Sequence, residues 1–498
     1  MIDKLSWIAV YPEIVLLVMT CVIILADISV KSAGRTLTYY LTLATLAGVA
    51  GMQAMYAMNG YTMYGFSNLL VSDSMGNWLK CFAAMAMFVT MVYARPYSQD
   101  RDMLRRGGEL FILSLLSLLG IFVMISGNNF LIIYLGLELL TLSSYALVAL
   151  RRDNANAVEA AMKYFILGAM ASGFLLYGMS MLYGATGTLM INEVQQVVAS
   201  GVAKQQILVL GVVFVVAGLA FKLGAVPFHM WMPDVYEGAP TSVALIVAGA
   251  PKLAAFAIMI RLLVEGLLPM AFHWQQMLVV LAIASLLVGN LAAIMQKNLK
   301  RMLAFSTIAQ VGFVLLAFVA GYVNNSFNTV VDAYSAAMFY IVTYVLTTLV
   351  NFGVIMLLAR EGFECDNISD LAGLNQRSPL YAGVMAISLL SLAGIPPMVG
   401  FYAKLTVLQV LVASGQAFHI GLAVFAVIMS LIGAFYYLRV IKVMYFDAPN
   451  PQLPTKIQAN FEVRSVLSVN GALVLVLGLL PAGLMNLCAH AIYRMLSA

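Results

Sequence analysis

Stretches of about 20 apolar residues, the length that carries a helix across a bilayer, recur along this chain from end to end. They fall at approximately 7–26, 37–58, 75–94, 109–126, 129–150, 157–183, 206–226, 242–264, 276–296, 301–322, 332–359, 379–412, 418–445 and 465–488. Lipid offers no partner for a backbone N–H or C=O, so runs of this length and polarity fold as helices that satisfy their own backbone. The sequence therefore predicts an all-α polytopic membrane protein with about fourteen transmembrane helices. Connections are short, the longest being 95–108, 184–205, 360–378 and 446–464. Composition bears on one point. Of 498 residues, 63% are hydrophobic and 9% charged, against roughly 25% charged in soluble domains, so most of the surface must face lipid. The first run lacks a small-residue cleavage site and reads as a span rather than a signal peptide.

The basic residues orient these spans. Odd-numbered connections and their flanks hold Lys31, Arg35, Arg95, Arg101, Arg105, Arg106, Arg151, Arg152, Lys297, Lys300, Arg301, Arg360, Arg377, Arg439, Lys442, Lys456 and Arg464, whereas even-numbered ones hold only Lys204. Lys and Arg collect on the cytoplasmic side of membrane proteins. Odd connections are thus expected in the cytoplasm and both termini outside. One missed or invented helix would scramble the alternation.

Several function classes drop out. The net charge of +5 is small and its basic residues are scattered, so no nucleic-acid surface is suggested. Cys21, Cys81, Cys365 and Cys488 form no CxxC pair, and His229, His273, His419 and His490 are too dispersed for a metal cluster. No P-loop, dinucleotide fingerprint or hydrolytic triad is present. Redox or bond chemistry, if it drives this protein, is expected elsewhere.

Two spans are interrupted. One reads Lys222-Leu-Gly-Ala-Val-Pro-Phe-His229, followed by Trp231 and Pro233; the other reads Ala393-Gly-Ile-Pro-Pro-Met-Val-Gly400, then Phe-Tyr-Ala-Lys404. Proline removes a backbone donor and clashes with the preceding turn, so both helices are expected to break there. Paired breaks in the two halves of a membrane protein point to a repeated transporter architecture with its site near mid-membrane. Pro227 and Pro396 lie 169 residues apart (396 − 227), which suits two units of five helices.

Charges sit inside the spans: Lys80, Lys163, Lys222, Lys252, Lys404 and Glu138. Glu138 lies about 13 Å into its helix. Each such charge costs roughly 2.5–3.5 kcal/mol at the bilayer centre, and five would cost on the order of 15 kcal/mol, the size of a whole folding free energy. Hydrated, ion-carrying interiors justify that cost; packing alone does not. Lysine suits proton transfer because desolvation and like-charged neighbours favour its neutral form while a carboxylate restores the charge. Pro251 immediately before Lys252 is expected to loosen that helix too. Lys80, near a span start, reads most simply as snorkelling to the interface, and Arg261, at a span end, as an anchor. Glu13 is left unassigned. His229, after the first break, is a candidate relay. The 32 methionines read as packing.

These segments resemble the N-subunit family of the proton-pumping NADH:quinone oxidoreductase, respiratory complex I. The resemblance rests on Tyr134-Leu-Gly-Leu-Glu-Leu-Leu, Glu159-Ala-Ala-Met-Lys-Tyr-Phe, the run from Phe221 through Pro-Asp-Val-Tyr-Glu-Gly-Ala-Pro-Thr, Asn298-Leu-Lys-Arg-Met-Leu-Ala-Phe-Ser-Thr-Ile, and Ser391-Leu-Ala-Gly-Ile-Pro-Pro-Met-Val-Gly-Phe-Tyr-Ala-Lys. It spans the fifth to the twelfth membrane segment. It implies two inverted five-helix repeats, each with a broken helix: N-terminal helices in 1–108, a first antiporter-like repeat in 109–264, a second in 276–445, and a last helix in 446–498. It implies that Glu138 and Lys222 form a switching pair modulated by Lys163, that Lys252 is the central relay, and that Lys404 leads toward the periplasm. Other membrane-arm subunits are the implied partners, with FMN, iron–sulfur clusters and quinone held by partner subunits and none here. The implied setting is a bacterial inner (plasma) membrane, consistent with a chain read as lacking a transit peptide. Many relatives carry His where this chain has Gln310, which can orient water but cannot titrate. A multisubunit sodium/proton antiporter subunit is the alternative, since the buried charges suit both.

Overall fold

The computed structural model describes every residue except 1–3, 33, 106, 323–326, 360–361, 450–456, 458 and 498. Arg106, Arg360 and Lys456, used above to orient the chain, lie outside the described residues.

The N-terminal part comprises α1 (Lys4–Ala9), α2 (Tyr11–Ser29), α3 (Thr36–Asn59), a two-stranded antiparallel hairpin of β1 (Met63–Gly65) and β2 (Leu70–Ser72), and α4 (Ser74–Gln99). Tyr64 pairs with Val71 in the hairpin. Asp73 caps α4 by accepting from Gly76 N at 3.1 Å, which satisfies one of the orphan donors of a helix start. Next come α5 (Glu109–Ser126), α6 (Phe130–Val148), α7 (Ala155–Thr186), the short α8 (Ile191–Ala199) and α9 (Gln205–Leu223). Beyond the first break lie α10 (Trp231–Gly238), α11 (Thr241–Ala248) and α12 (Ala250–Met259), the last running into a π-helical turn over Ile260–Gly266. Pro240 and Pro251 stand where α11 and α12 begin, positions at which a missing N–H removes no helical bond.

The second half is α13 (Ala271–Met295), α14 (Leu299–Gly321), α15 (Phe327–Leu358), α16 (Leu374–Arg377), α17 (Pro379–Ala393), a break, α18 (Val399–Ala413) and α19 (Ala417–Phe446). It is followed by α20 (Phe461–Leu479) and α21 (Ala482–Leu496). Among the described residues thirteen helices are long and apolar enough to cross a membrane, and the shorter α17 and α18 together fill the fourteenth span foreseen at 379–412. The fold is an all-α polytopic membrane fold. Two boundaries differ from the sequence reading. The last span ends at Leu479 rather than near 488, because Pro481 starts a separate helix. The span at 242–264 is three helical pieces, cut at Gly249–Pro251 and again by the π turn.

Pieces of the two halves match in register. Gly120 of α5 crosses the backbone of Gly136 and Leu140 of α6 so closely that a Cβ would overlap it, and Gly289 of α13 crosses Phe305 and Ala309 of α14 in the same way. Asn129 caps α6 and pairs with Met190; Asn298 caps α14 and pairs with Asn367. The glycine crossings and the two caps repeat at an offset of 169 (289 − 120, 309 − 140, 298 − 129), while the bridge partners Met190 and Asn367 lie 177 apart (367 − 190). At the centre, α14 is buried along nearly its whole length, Arg301 in its first turn excepted, between α13, α15, α10, α18 and α19. The outer α2, α19 and α20 present exposed Leu, Val, Ile and Phe, as a lipid-facing surface must.

Candidate functional site

Both breaks are built on one backbone device. At the first, Gly224 ends α9 with φ +82°; its N–H bonds Ala220 O at 2.9 Å and the Ala225 N–H bonds the same oxygen at 2.8 Å. At the second, Gly394 ends α17 with φ +83°, and the N–H groups of Gly394 and Ile395 both bond Leu390 O at 3.0 Å. A left-handed residue here favours glycine, since a Cβ would meet the following carbonyl. Each chain then turns through a cis proline peptide, Val226–Pro227 or Pro396–Pro397.

The last carbonyls of each half-helix have no helical partner and carry the negative end of the helix dipole. A buried lysine takes them in both halves. Lys252, 1% exposed, reaches from α12 to Leu223 O at 2.8 Å and Lys222 O at 3.4 Å. Lys404 of α18 donates to Leu392 O at 2.9 Å, Ala393 O at 3.1 Å and Ser430 Oγ at 2.8 Å. The Lys252 ammonium also lies 5.5 Å from the centre of the Trp231 ring, and the Lys404 ammonium 5.2 Å from that of Phe313.

Glu138 and Lys222 are near enough for their charges to interact, yet they share no hydrogen bond. Glu138 Oε1 and Lys222 Nζ are both buried without a protein partner, as are Tyr145 OH, Ser172 Oγ and His229 Nδ1. Tyr145 of α6 packs at Gly168 of α7, and Gly218 of α9 packs at Leu175 of α7, so the helices that carry Glu138, Ser172 and Lys222 lie side by side. Orphaned polar atoms in a group are the kind of place where buried water binds. The backbone carbonyl of Lys222 is in turn a partner of the Lys252 ammonium, at 3.4 Å.

Gln310 lies between the two lysine sites. Its Nε2 donates to Leu392 O and to Tyr437 OH, each at 3.0 Å, and its Oε1 accepts from Tyr340 OH. It therefore shares the Leu392 carbonyl with Lys404. Ser306 bonds Tyr437 OH, and Thr307 accepts from Tyr344 OH at 2.7 Å. Sequence reasoning missed Tyr340, Tyr344, Tyr437 and Ser430. Tyrosine at helical spacing in an apolar helix gives no signal beyond packing.

Lys163 stands apart from the pair. It bonds Glu159 Oε1 at 2.8 Å and Asp234 Oδ2 at 2.9 Å, with its side chain 45% exposed. Asp234 accepts from Arg301 at 2.8 Å through its other oxygen, and Arg301 also bonds Glu237 at 2.8 Å. His229 is half-buried, its ring 6.5 Å from that of Phe305.

Two simple readings are corrected. Lys80 does not snorkel: it is 1% exposed and bonds Glu13 Oε1 at 2.6 Å, an oxygen that also accepts from Ser126 at 3.0 Å. Arg261 is no interfacial anchor: it is buried, pairing with Asp73 and Glu265 at 2.7 Å each. Glu13 and Asp73 come from segments distant in sequence, which a scan of one span cannot see, whereas Glu265 lies only four residues beyond Arg261.

On the face bearing the odd-numbered connections, Glu364 gathers Tyr97 OH at 2.8 Å, Arg101 at 2.7 Å and Arg151 at 3.0 Å. Burial pushes its carboxyl up, but the Arg101 guanidinium outweighs that and holds it below the usual carboxylate range. Beside it Lys300 pairs with Asp366 at 2.9 Å.

A helix broken at a glycine and a proline, with a buried lysine on its last carbonyls and the same arrangement repeated, is the pattern of an antiporter-like membrane protein. Residues 127–430 match the model of the family described as NADH:quinone oxidoreductase/Mrp antiporter, and the chain belongs to that family. It is 67% identical to the NADH-quinone oxidoreductase subunit N of Polaromonas naphthalenivorans, over 99% of this chain and 98% of that one. It is 58% identical to the subunit N of Herminiimonas arsenicoxydans over the full length of both. Among solved structures, a chain of respiratory complex I from Thermus thermophilus superposes with a TM-score of 0.79 at 30% identity, covering 96% of this chain and 99% of that chain. A chain of the Mrp complex from Dietzia superposes at 0.82 with 21% identity, covering 98% and 97%, a likeness of fold.

Proposed function

We propose that this chain is the proton-translocating N subunit in the membrane arm of an NADH:quinone oxidoreductase. The observation that carries the reading is the pair of buried lysines, Lys252 and Lys404, on the carbonyl ends of two broken helices, with Lys222 beside the first and Gln310 sharing the Leu392 carbonyl of the second. A proton enters near Lys163 and reaches the buried Glu138 and Lys222, whose unpartnered atoms can hold water. It passes to Lys252 when the charge on Lys222 changes, because like charges in a low-dielectric interior disfavour simultaneous protonation. Gln310 and the tyrosine hydroxyls orient the link to Lys404, which releases the proton toward the opposite face. His229 borders the first break as a secondary relay. The energy comes from quinone reduction in partner subunits, which hold FMN, iron–sulfur clusters and quinone.

The same reading sets the orientation. The basic face is cytoplasmic, the membrane is the bacterial inner membrane, and both termini are periplasmic. Segments 109–264 and 276–445 are the two repeats, and five crossings, an odd number, start the second on the opposite side from the first; 1–108 and 446–498 flank them. The test is Lys252→Ala and Glu138→Gln in the assembled complex, assayed in inside-out vesicles for NADH-driven quinone reduction and proton uptake. Loss of proton uptake supports the path. Normal pumping by both variants would sink it, and a purified complex without flavin or iron–sulfur signal would turn the assignment to a sodium/proton antiporter.

A further inference from the structure

The separation of Lys163 from Glu138 has a geometric cause. Lys163 is held by Asp234, a residue to which the charge pattern of the spans assigned nothing. Asp234 lies ten residues beyond the left-handed Gly224, and Lys404 lies ten beyond the left-handed Gly394, so at the breaks the offset between the halves is 170 (394 − 224), one more than in the helices before them. The two positions correspond, yet one carries an acid and the other a base. In the second half that residue turns in to the helix-end carbonyls. In the first half Lys252 already fills that place from α12, and Asp234 faces Lys163 instead.

The short helix α10 that carries Asp234 touches three parts of the path. Trp231, one turn earlier, stacks on Tyr164, the chain neighbour of Lys163, with ring centres 4.7 Å apart. The Lys252 ammonium lies over the same Trp231 ring, and Trp231 Nε1 donates to Phe221 O at 3.0 Å. Asp234 splits its carboxylate between Lys163 and Arg301, the latter in the first turn of α14, the helix of Gln310. Moving α10 thus shifts Lys163, Lys252 and the start of α14 together.

We propose that Asp234 is a positioning residue of the ion path: it fixes where the Lys163 charge stands relative to Glu138 and Lys222, and through Arg301 ties that setting to α14. The proposal rests on the proton path argued above. With Asp234 in place, Lys163 is held between Asp234 and Glu159, and Lys222 can take up a proton beside Glu138. Without it, Lys163 keeps only Glu159 on its own helix and is no longer tied to α10, so its ammonium is released to move toward Glu138, where it opposes protonation of Lys222, because like charges in a medium of low dielectric repel strongly.

The experiment is a double-mutant cycle in the assembled complex, in inside-out vesicles, reading protons taken up per electron passed to quinone. Asp234→Asn is expected to lower that ratio about fivefold or more, the range of ordinary site–site coupling. Asp234→Glu should retain most of it. Lys163→Gln should lower it as well, and the double variant Asp234→Asn with Lys163→Gln should be no worse than the worse single one. Additive losses, or an undiminished ratio in Asp234→Asn, would overturn the proposal. If Asp234→Asn does not assemble, Arg301→Gln carries the test: it should lower the ratio with Lys163 present and add nothing with Lys163→Gln. An equal added loss in both backgrounds overturns it. Lys222→Ala is the control for the path itself, expected to lower the ratio about fivefold. If its ratio is undiminished the path reading fails; if it is lowered while Asp234 and Lys163 act independently, only this proposal fails.

Discussion

The two breaks share a backbone and differ in what surrounds it. Each half-helix ends in a left-handed glycine, turns at a cis proline and offers its last carbonyls to a buried ammonium. The first break takes that ammonium from a later helix, and so keeps Lys222 free to face Glu138. The second takes it from its own continuation and surrounds it with neutral donors and acceptors, Gln310, Tyr340, Tyr437 and Ser430. What is common to both is a cation on the negative helix end, whichever residue supplies it. The first half is set by interacting charges, and the second by hydrogen-bond geometry around one charge.

The largest effect should separate them. Lys404→Ala removes the cation of the second break and is expected to lower proton uptake a hundredfold or more, about the contribution of a positioned proton donor. Lys222→Ala leaves Lys252 on the first break and should cost about fivefold, the scale of a coupling between sites. Equal losses in a vesicle pumping assay would show that the two lysines at the first break are not redundant, and the comparison would fail.

Next come the glycines. Alanine at either position carries about 1–2 kcal/mol for the left-handed conformation. At Gly224 the new Cβ meets the tip of the flexible Met232 side chain; at Gly394 it lies 2.8 Å from Lys404 Cδ and 3.3 Å from its Nζ. Gly394→Ala is therefore expected to impair pumping as well as stability, and Gly224→Ala to lower thermal stability with coupling largely kept. Thermal unfolding and proton uptake measured on both variants check the split.

Gln310 sharpens the second half of the comparison. Gln310→Leu leaves the Tyr340 hydroxyl and one lone pair of Leu392 O without their partner, about 1–3 kcal/mol for each buried group left unsatisfied. Gln310→His can still accept from Tyr340 on one ring nitrogen and donate from the other. Pumping is expected to survive histidine and to fall with leucine. The reverse order would remove Gln310 from the link.

Much of this was legible in the sequence. Apolar length gave the spans, Gly and Pro gave both breaks, and lysine inside an apolar run marked Lys222, Lys252 and Lys404, since no packing argument explains such a residue. Partnership was not legible. Lys80 and Glu13 lie 67 residues apart and Arg261 and Asp73 188, so each looked like a lone charge near a span end. Asp234 sat in view within the Pro-Asp-Val-Tyr-Glu run, but its exposure outside a span hid it from a search for buried charge. The hairpin escaped because strands of three residues are too short to show a period, and α8, although its buried Ile191, Val194 and Val198 share one face, is a nine-residue helix inside a connection between long apolar runs.

The smallest effect concerns the seam between the halves at the basic face. Tyr97, Arg101 and Arg151 from the N-terminal half converge on Glu364 from the loop after α15, and Tyr97 OH accepts from Thr241 N at 3.0 Å. Arg101 holds the Glu364 carboxyl below its usual range. A carboxyl depressed in the folded state binds fewer protons there than in the unfolded chain, so its stabilisation is full above the ordinary carboxylate range and fades as pH falls through the folded value. Glu364→Gln is expected to lower the unfolding temperature of the purified complex by roughly 1–2 °C near pH 7, with the gap to the unmodified protein closing as the medium is acidified below that range. A gap constant with pH would mean that the glutamate acts there by shape and hydrogen bonding alone. A gap that closes would identify charge as what fastens the first half to the second, and would carry the electrostatic character of the first break out to the surface.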